Sequence, residues 1–393
     1  LGLNFLDARL EIDGFPPPDY LLGDTDEFQD TSRISGFAGF DIFVDDLRIN
    51  GTWSLSETRR ENYDPSIGAD PVYATAGREQ RAGLRGFWRL TGEFHAHFGG
   101  ERVWNEFSTL FDAQRRGSSA GAYAQVGLST GAFALNAGAR IDDHEGFGSE
   151  WSLGADAVLA LGYGWRLRAA LGEGFKAPSL FQRYSEYGNE ALQPERSRSF
   201  DIGLERGDRN DDWHFAFSAF RRESEELIGF VSCFAGSTGI CADRPFGTFD
   251  NVGLARAQGI ELEAAFRPSD WLRLQGAWSY VEASDRTRES ANQGNDLARR
   301  PRHALTLSAD WDSQLAGLNL GADLRIVSSS FDDAANLVPL AGYRVGTIRA
   351  SIPLTGEVEL FGRVENIWDE RYQTAAGYGT PGRSAYIGAR AQW

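Results

Sequence analysis

Arg383-Ser384-Ala385-Tyr386-Ile387-Gly388-Ala389-Arg390-Ala391-Gln392-Trp393 is apolar at every second position. Ala385, Ile387, Ala389, Ala391 and Trp393 share one side, and Ser384, Tyr386, Gly388, Arg390 and Gln392, mostly polar, share the other. A period of two puts successive side chains on opposite faces of a β-strand, so this stretch reads as a strand between two different environments. Its last residue is an aromatic, where a soluble domain would normally run on into a polar tail.

The same alternation recurs along the chain. Leu305, Leu307, Ala309 and Trp311 oppose Thr306, Ser308 and Asp310; Leu320, Ala322, Leu324 and Ile326 oppose Asn319, Gly321, Asp323 and Arg325; Ile260, Leu262, Ala264 and Phe266 oppose Glu261 and Glu263. Many of the polar faces carry full charges, among them Asp156, Arg166, Arg168, Asp201 and Glu205. A packed sandwich and a membrane barrel both alternate. Three further features favour the barrel. Short turns such as 162–164, 268–270 and 355–357 alternate with long loops at 15–29, 59–76, 176–195, 225–249, 285–300 and 328–340. The strands run to about ten residues, enough for a tilted strand to cross the hydrocarbon. Aromatics gather at strand ends, as at Trp151, Trp165, Trp213, Trp271, Trp311 and Trp393, which suits interfacial girdles. The expectation is an all-β, transmembrane antiparallel β-barrel of about 18 strands, one domain over 1–393, with no helix of consequence.

Composition fits. Of 393 residues 41% are apolar and 12% aromatic, with 46 glycines, a mixture that favours strands joined by turns. Mean hydropathy is −0.38 and no apolar run reaches the roughly eighteen residues of a transmembrane helix. The net charge of −17 argues against a nucleic-acid partner bound through a basic surface. The sequence contains no Met and starts at Leu1 inside a strand pattern, which reads as a processed chain or a fragment. Cys233 and Cys241, the only cysteines, sit eight apart in a Gly/Ser/Thr-rich loop; they suit a disulfide closing a small loop, or two unpaired thiols, and no nearby His supports zinc.

Two stretches carry a resemblance. One is Gly172-Glu173-Gly174-Phe175-Lys176-Ala177-Pro178, followed by Leu192-Gln193-Pro194-Glu195; the other is Asn366-Ile367-Trp368-Asp369-Glu370-Arg371-Tyr372 and the terminal aromatic strand. Together, in this order and spacing, they resemble the TonB-dependent outer-membrane receptors. Asn62-Tyr63-Asp64-Pro65, Tyr187-Gly188-Asn189, Leu297-Ala298-Arg299-Arg300 and Tyr378-Gly379-Thr380-Pro381-Gly382-Arg383 resemble the cobalamin (vitamin B-twelve) branch of that family. The resemblance implies an outer-membrane active-transport receptor of a Gram-negative cell, with loops that capture a scarce nutrient and import energised through the TonB-ExbB-ExbD complex. It also implies a barrel of about 22 strands around an N-terminal plug. Here the plug, the TonB box and about four strands are expected to be missing, leaving the barrel portion. Outer-membrane lipid and the barrel-assembly machinery are further implied partners, the latter through the terminal strand.

The loops supply the candidate site. Tyr184, Tyr187, Asn189, Phe246, Phe249, Asn251 and Tyr378 offer aromatics and amides for a large corrinoid, the expected ligand. A ferric siderophore is the alternative; it would use similar aromatics plus cations such as Arg299, Arg300 and Arg302, which could equally anchor on lipid phosphates. A plugless passive diffusion channel is an alternative of another class. Asp19, Asp24, Asp26 and Glu27 in one loop and Asp64 and Asp70 beside Tyr63 in the next suit calcium, which takes six to eight oxygens, or an ordinary solvated face. In the cobalamin branch calcium orders the external loops, so Asp24, Asp26, Tyr63, Asp64 and Asp70 are the implied metal set. The motif Gly172–Leu180 reads as structural. No enzyme is expected: among His95, His97, His144, His214 and His303 no catalytic spacing emerges, and no phosphate loop or zinc motif is present. His95 and His97 fall on one face of a strand and read as wall residues.

Overall fold

The computed structural model describes all residues except 15, 17, 19–22, 209–210, 234–238, 243, 245–246, 314 and 393. The chain builds β1 (Gly2–Glu11), β2 (Phe28–Val44), β3 (Leu47–Tyr63), β4 (Tyr73–Arg89), β5 (Phe94–Thr109), β6 (Arg115–Ser129), β7 (Phe133–His144), β8 (Gly148–Gly162) and β9 (Trp165–Lys176). A short helix α1 (Leu180–Tyr184) precedes β10 (Glu195–Arg206), β11 (Trp213–Glu225), β12 (Ile228–Val231), β13 (Thr248–Asn251), β14 (Ala255–Ser269) and β15 (Leu272–Asp285). There follow β16 (His303–Asp312), β17 (Asn319–Val327), β18 (Ser330–Phe331), β19 (Pro339–Leu340), β20 (Tyr343–Pro353), β21 (Val358–Glu365) and β22 (Ser384–Ala391). Eighteen of these strands form one large antiparallel sheet; β12–β13 and β18–β19 are separate loop hairpins.

Two compact units divide the chain. The first comprises Leu1–Ala155, Gly172–Ser197 and Glu225–Val252, and the second Asp156–Leu171, Arg198–Ser224 and Gly253–Trp393. In the first, β1 to β7 pair each with the next. In the second, β11, β14, β15, β16, β17, β20, β21 and β22 do the same.

The register settles which environment each face meets. Ala38, Trp53, Ala82 and Arg102 align across four strands, as do Phe40, Gly51, Leu84, Gly100 and Ala122 across five, and this face is predominantly apolar. A sandwich would bury it. Instead Leu84 is 55% and Val126 60% exposed, and in β22 Ile387 is 81% exposed. A continuous exposed apolar face is what a strand presents to hydrocarbon. The opposite face is polar and knitted by ion pairs. Arg140 bridges Glu101 (2.7 Å) and Asp142 (2.5 Å), and Arg81 adds Glu101 at 3.3 Å. In the second unit Arg349 bridges Asp310 and Asp323. His95 and His97 lie on the polar face around Phe87, the His97 and Phe87 rings 4.9 Å apart, as wall residues should.

Three expectations need correction. Strands β2, β3 and β4 are each 17 residues long, because backbone pairing continues past the apolar band where hydropathy no longer marks it. Long and short connections do not alternate strictly: residues 110–114 and 145–147 are tight on the side where the others are long. The sequence reading also found no helix of consequence, yet α1 organises the site described next. Trp165 and Trp213 open strands and Trp311 nearly closes one, as expected; Trp393 lies outside the described residues.

Candidate ligand-capture site

After β9 the chain leaves the sheet, and Pro178 has no N–H with which to continue the pairing. Ser179 then caps α1. Its hydroxyl accepts from the Gln182 amide (3.2 Å), while the Gln182 side chain accepts from the Ser179 amide (2.9 Å), a complete capping box. The helix lays Phe181 edge-on to Phe107 of β5, centroids 5.7 Å apart. Arg183 stands between the rings of Tyr184 (4.9 Å) and Phe147 (6.0 Å). Among the described residues its guanidinium makes only long hydrogen bonds, 3.4 Å to the Gly146 and Glu190 carbonyls, and its Nε is buried without a partner. A Cβ on Gly146 would lie 1.8 Å from the guanidinium, so glycine there makes room for it.

These groups line a cavity of about 510 Å³ bounded by the ends of β5 and β6, the β7–β8 connection and α1. His144 stacks on Phe147 (4.5 Å) and meets Phe175 of the Gly172–Pro178 motif edge-on (5.7 Å). Two acids share the rim. Glu106 is paired with Arg116 at 3.1 Å, and Glu145 accepts from Ser118. Among the described residues Arg183 has no carboxylate partner. The cavity thus offers aromatic faces beside one cation without a counter-ion.

Five predicted contact residues come together here, in a role the sequence did not reveal. The hairpin β12–β13 docks on the loop that follows α1. Phe249 meets Phe181 (5.7 Å) and Phe230 (5.4 Å), and Phe230 meets Tyr187 (5.7 Å). Thr248, fully buried, donates to the Tyr187 carbonyl. The Asn189 amide donates to the Phe249 carbonyl (3.0 Å). Asn251 accepts from the Gln193 amide (2.8 Å) and donates to the Gln193 and Glu226 carbonyls. Asn189 and Asn251 are therefore engaged with backbone and hold two loops together. Burial, with Glu186 adding to it, raises the Tyr187 hydroxyl above its usual range, so it stays a neutral donor. Tyr184 alone of the predicted set lines the cavity. Tyr378 belongs to the second unit, in the loop before β22, and Phe246 lies outside the described residues. Cys233 and Cys241 are joined as a disulfide with Cα atoms 5.4 Å apart.

The implied calcium set is not assembled. Among the described residues no three His, Cys, Asp or Glu side chains gather to hold a metal. Asp64 accepts instead from the Ser66 amide and hydroxyl (2.9 and 2.6 Å), closing its own turn. Tyr63 donates to Glu61 and stacks on Phe28. Asp24, Asp26 and Asp70 are exposed, and Asp19 lies outside the described residues.

In the second unit the arginine run is largely occupied. Arg299 pairs with Asp332 (2.7 Å) and Arg302 with Asp296 (2.9 Å). The Arg299 guanidinium, helped by the Ala376 amide, holds the Asp332 carboxyl below its usual range. Asn366 and Asp369 of the second motif both have left-handed backbone. Asn366, buried, accepts from the Glu370 amide and donates to the Glu370 and Pro381 carbonyls, fixing the last loop.

Residues 2–367 match the family described as TonB dependent receptor-like, beta-barrel. The chain belongs to that family. Members of that family lie in the Gram-negative outer membrane, and the exposed apolar face is accordingly the one turned to lipid. Among solved structures, a mutant ferric enterobactin receptor from Pseudomonas aeruginosa is similar, with a TM-score of 0.75 at 18% identity over 93% of this chain and 62% of that one. The siderophore receptor PiuA from Acinetobacter baumannii gives 0.78 at 15% identity over 98% and 70%. The FrpB iron transporter from Neisseria meningitidis gives 0.74 at 15% identity over 93% and 65%. At these identities the likeness is one of fold. This TonB-dependent receptor barrel spans less than two thirds of the Pseudomonas receptor.

Proposed function

We propose that this chain is the barrel part of an outer-membrane receptor that captures a ferric siderophore on its external loops, with import energised through TonB acting on a plug. The observation that carries the reading is Arg183, a cation without a counter-ion among the described residues, held between two aromatic rings at the edge of an aromatic cavity. Ferric catecholates are anionic and aromatic, which that pairing complements. The names of the similar structures, an enterobactin receptor, a siderophore receptor and an iron transporter, point the same way. The corrinoid reading rests on sequence resemblance alone, and Tyr63 and Asp64, which supported it, are occupied by local contacts.

The test is a titration of the full gene product in detergent, followed by quenching of its tryptophans. Ferric enterobactin is expected to quench saturably and cyanocobalamin not at all. Arg183→Gln should weaken ferric enterobactin by tenfold or more, since a hydrogen bond to a charged group is worth about 1.5–3 kcal/mol. Chelating calcium should change nothing. Saturation by cyanocobalamin alone reinstates the corrinoid, and saturation by neither rejects the siderophore.

A further inference from the structure

His95 and His97 stand near the start of β5 on its polar face, beside the short 90–93 connection. Residues two apart on a strand point the same way, so β5 holds both imidazoles side by side. Phe87 of β4, the Cα partner of His97, backs the pair: its ring centroid is 6.0 Å from that of His95 and 4.9 Å from that of His97. On the other side His95 aligns with Gly127 of β6. A Cβ there would lie 2.1 Å from His95 Nε2, so bare backbone seats the ring. Held in this way, the two imidazoles stand 5.5 Å apart, centroid to centroid. Among the described residues neither has a carboxylate or hydrogen-bond partner.

That spacing is the one a shared metal ion requires. An imidazole nitrogen about 2.0–2.1 Å from a metal puts its ring centroid about 3.2 Å from it, so two rings on one tetrahedral ion stand about 5.2 Å apart. The surroundings select the class of ion. Arg89 is the Cα partner of His95, and Arg85 follows Phe87 along the same face of β4. With these cations nearby and no carboxylate on either ring, the pair does not suit calcium or magnesium, which take oxygen ligands. Imidazole nitrogen suits zinc, copper and nickel. We propose that His95 and His97 together bind one divalent cation of that class. The two imidazoles supply two positions and water the others, so the ion stays open to a further ligand. The pair lies at the short-turn end of β5, which in outer-membrane barrels is the periplasmic end, whereas Arg183 and its cavity adjoin the opposite end of that strand.

The experiment titrates cupric ion into the full gene product, purified in detergent without a histidine tag, and follows it by electron paramagnetic resonance. The parent should bind one tight equivalent whose spectrum carries the hyperfine pattern of two nitrogens. His95→Gln and His97→Gln should each weaken that equivalent tenfold or more and leave one nitrogen, since even the loss of a supporting contact costs a metal site about 10–100-fold. Gly127→Ala keeps both imidazoles but displaces the His95 ring, so it should weaken copper too. Heat-modifiable mobility on gels reports that each barrel is folded. Tryptophan quenching by ferric enterobactin should be the same in the histidine variants as in the parent, which keeps the result separate from the siderophore reading. A folded parent that binds no tight copper overturns the proposal. So does a tight equivalent that survives in the His95→Gln/His97→Gln double variant, or one that is lost instead with His144→Gln.

Discussion

A Cβ on Gly117 would sit 3.2 Å from Leu180 Cδ2, so the first turn of α1 rests against bare backbone of β6. Gly117→Val should push α1 off the strand at about 1–3 kcal/mol, the usual cost of overpacking, and weaken the proposed siderophore binding by a corresponding fivefold or more. Titration of folded receptor checks this; unchanged affinity would mean that α1 does not shape the cavity. Asp332 makes a pH prediction. Its carboxyl lies below the ordinary value near 4, so its contribution is complete above about pH 4 and disappears as pH falls through the lowered value. The contact from Arg299 through Asp332 to Ala376 should be unchanged from pH 5 to 8 and released below about pH 4. Hydrogen exchange of the Ala376 amide, corrected for intrinsic rate, measures it, and Asp332→Asn should remove the step. At this scale the sequence identified residue types well and roles poorly. Tyr184, Tyr187, Asn189, Phe249 and Asn251 were recognisable as a loop set, but whether an amide faces ligand or backbone depends on where a second loop, some sixty residues away, comes to rest.

That second loop is the hairpin β12–β13, an element invisible to periodicity because four-residue strands are too short to show a period. It is placed by its partners. Asn251 ties it to Gln193 and Glu226, Thr248 donates to the Tyr187 carbonyl, and Asn189 donates to the Phe249 carbonyl of the hairpin. Asn251→Ala leaves those backbone groups to water, a local loss of about 0.5–1.5 kcal/mol per bond. The expected result is faster exchange and proteolysis within 177–194 and 226–254, with the sheet strands unaffected; protection that persists in both loops would show that the aromatic contacts suffice. The helix α1, by contrast, had a legible start in Ser179-Leu180-Phe181-Gln182, a capping-box spacing that strand alternation on both sides obscured. The tight 145–147 connection was readable only as a count of residues. Its purpose, leaving space at Gly146 for Arg183, is a contact between connections.

Across the whole molecule, strict alternation was enough to give strand number and facing, because a one-residue slip would exchange every side chain between lipid and polar surroundings. Ligand identity was not legible in the same way, since nothing periodic governs loop tips. The two-faced sheet has a consequence testable on adjacent residues of β20. Ile348 is 50% exposed on the apolar face and aligns with Ala322 and Val364. Its neighbour Thr347 is on the polar face, aligned with Asp323 and Glu365. Ile348→Arg places a charge in hydrocarbon and should cost about 2–4 kcal/mol, the depth-dependent penalty for arginine on a barrel's lipid face. Thr347→Arg adds the same group between two carboxylates and should cost less than about 1 kcal/mol. Reversible urea unfolding in lipid vesicles, or the yield of folded receptor in outer membranes, separates the two. Equal losses would mean that both faces of β20 meet water, and a bilayer-facing sheet would no longer account for its exposed apolar side chains.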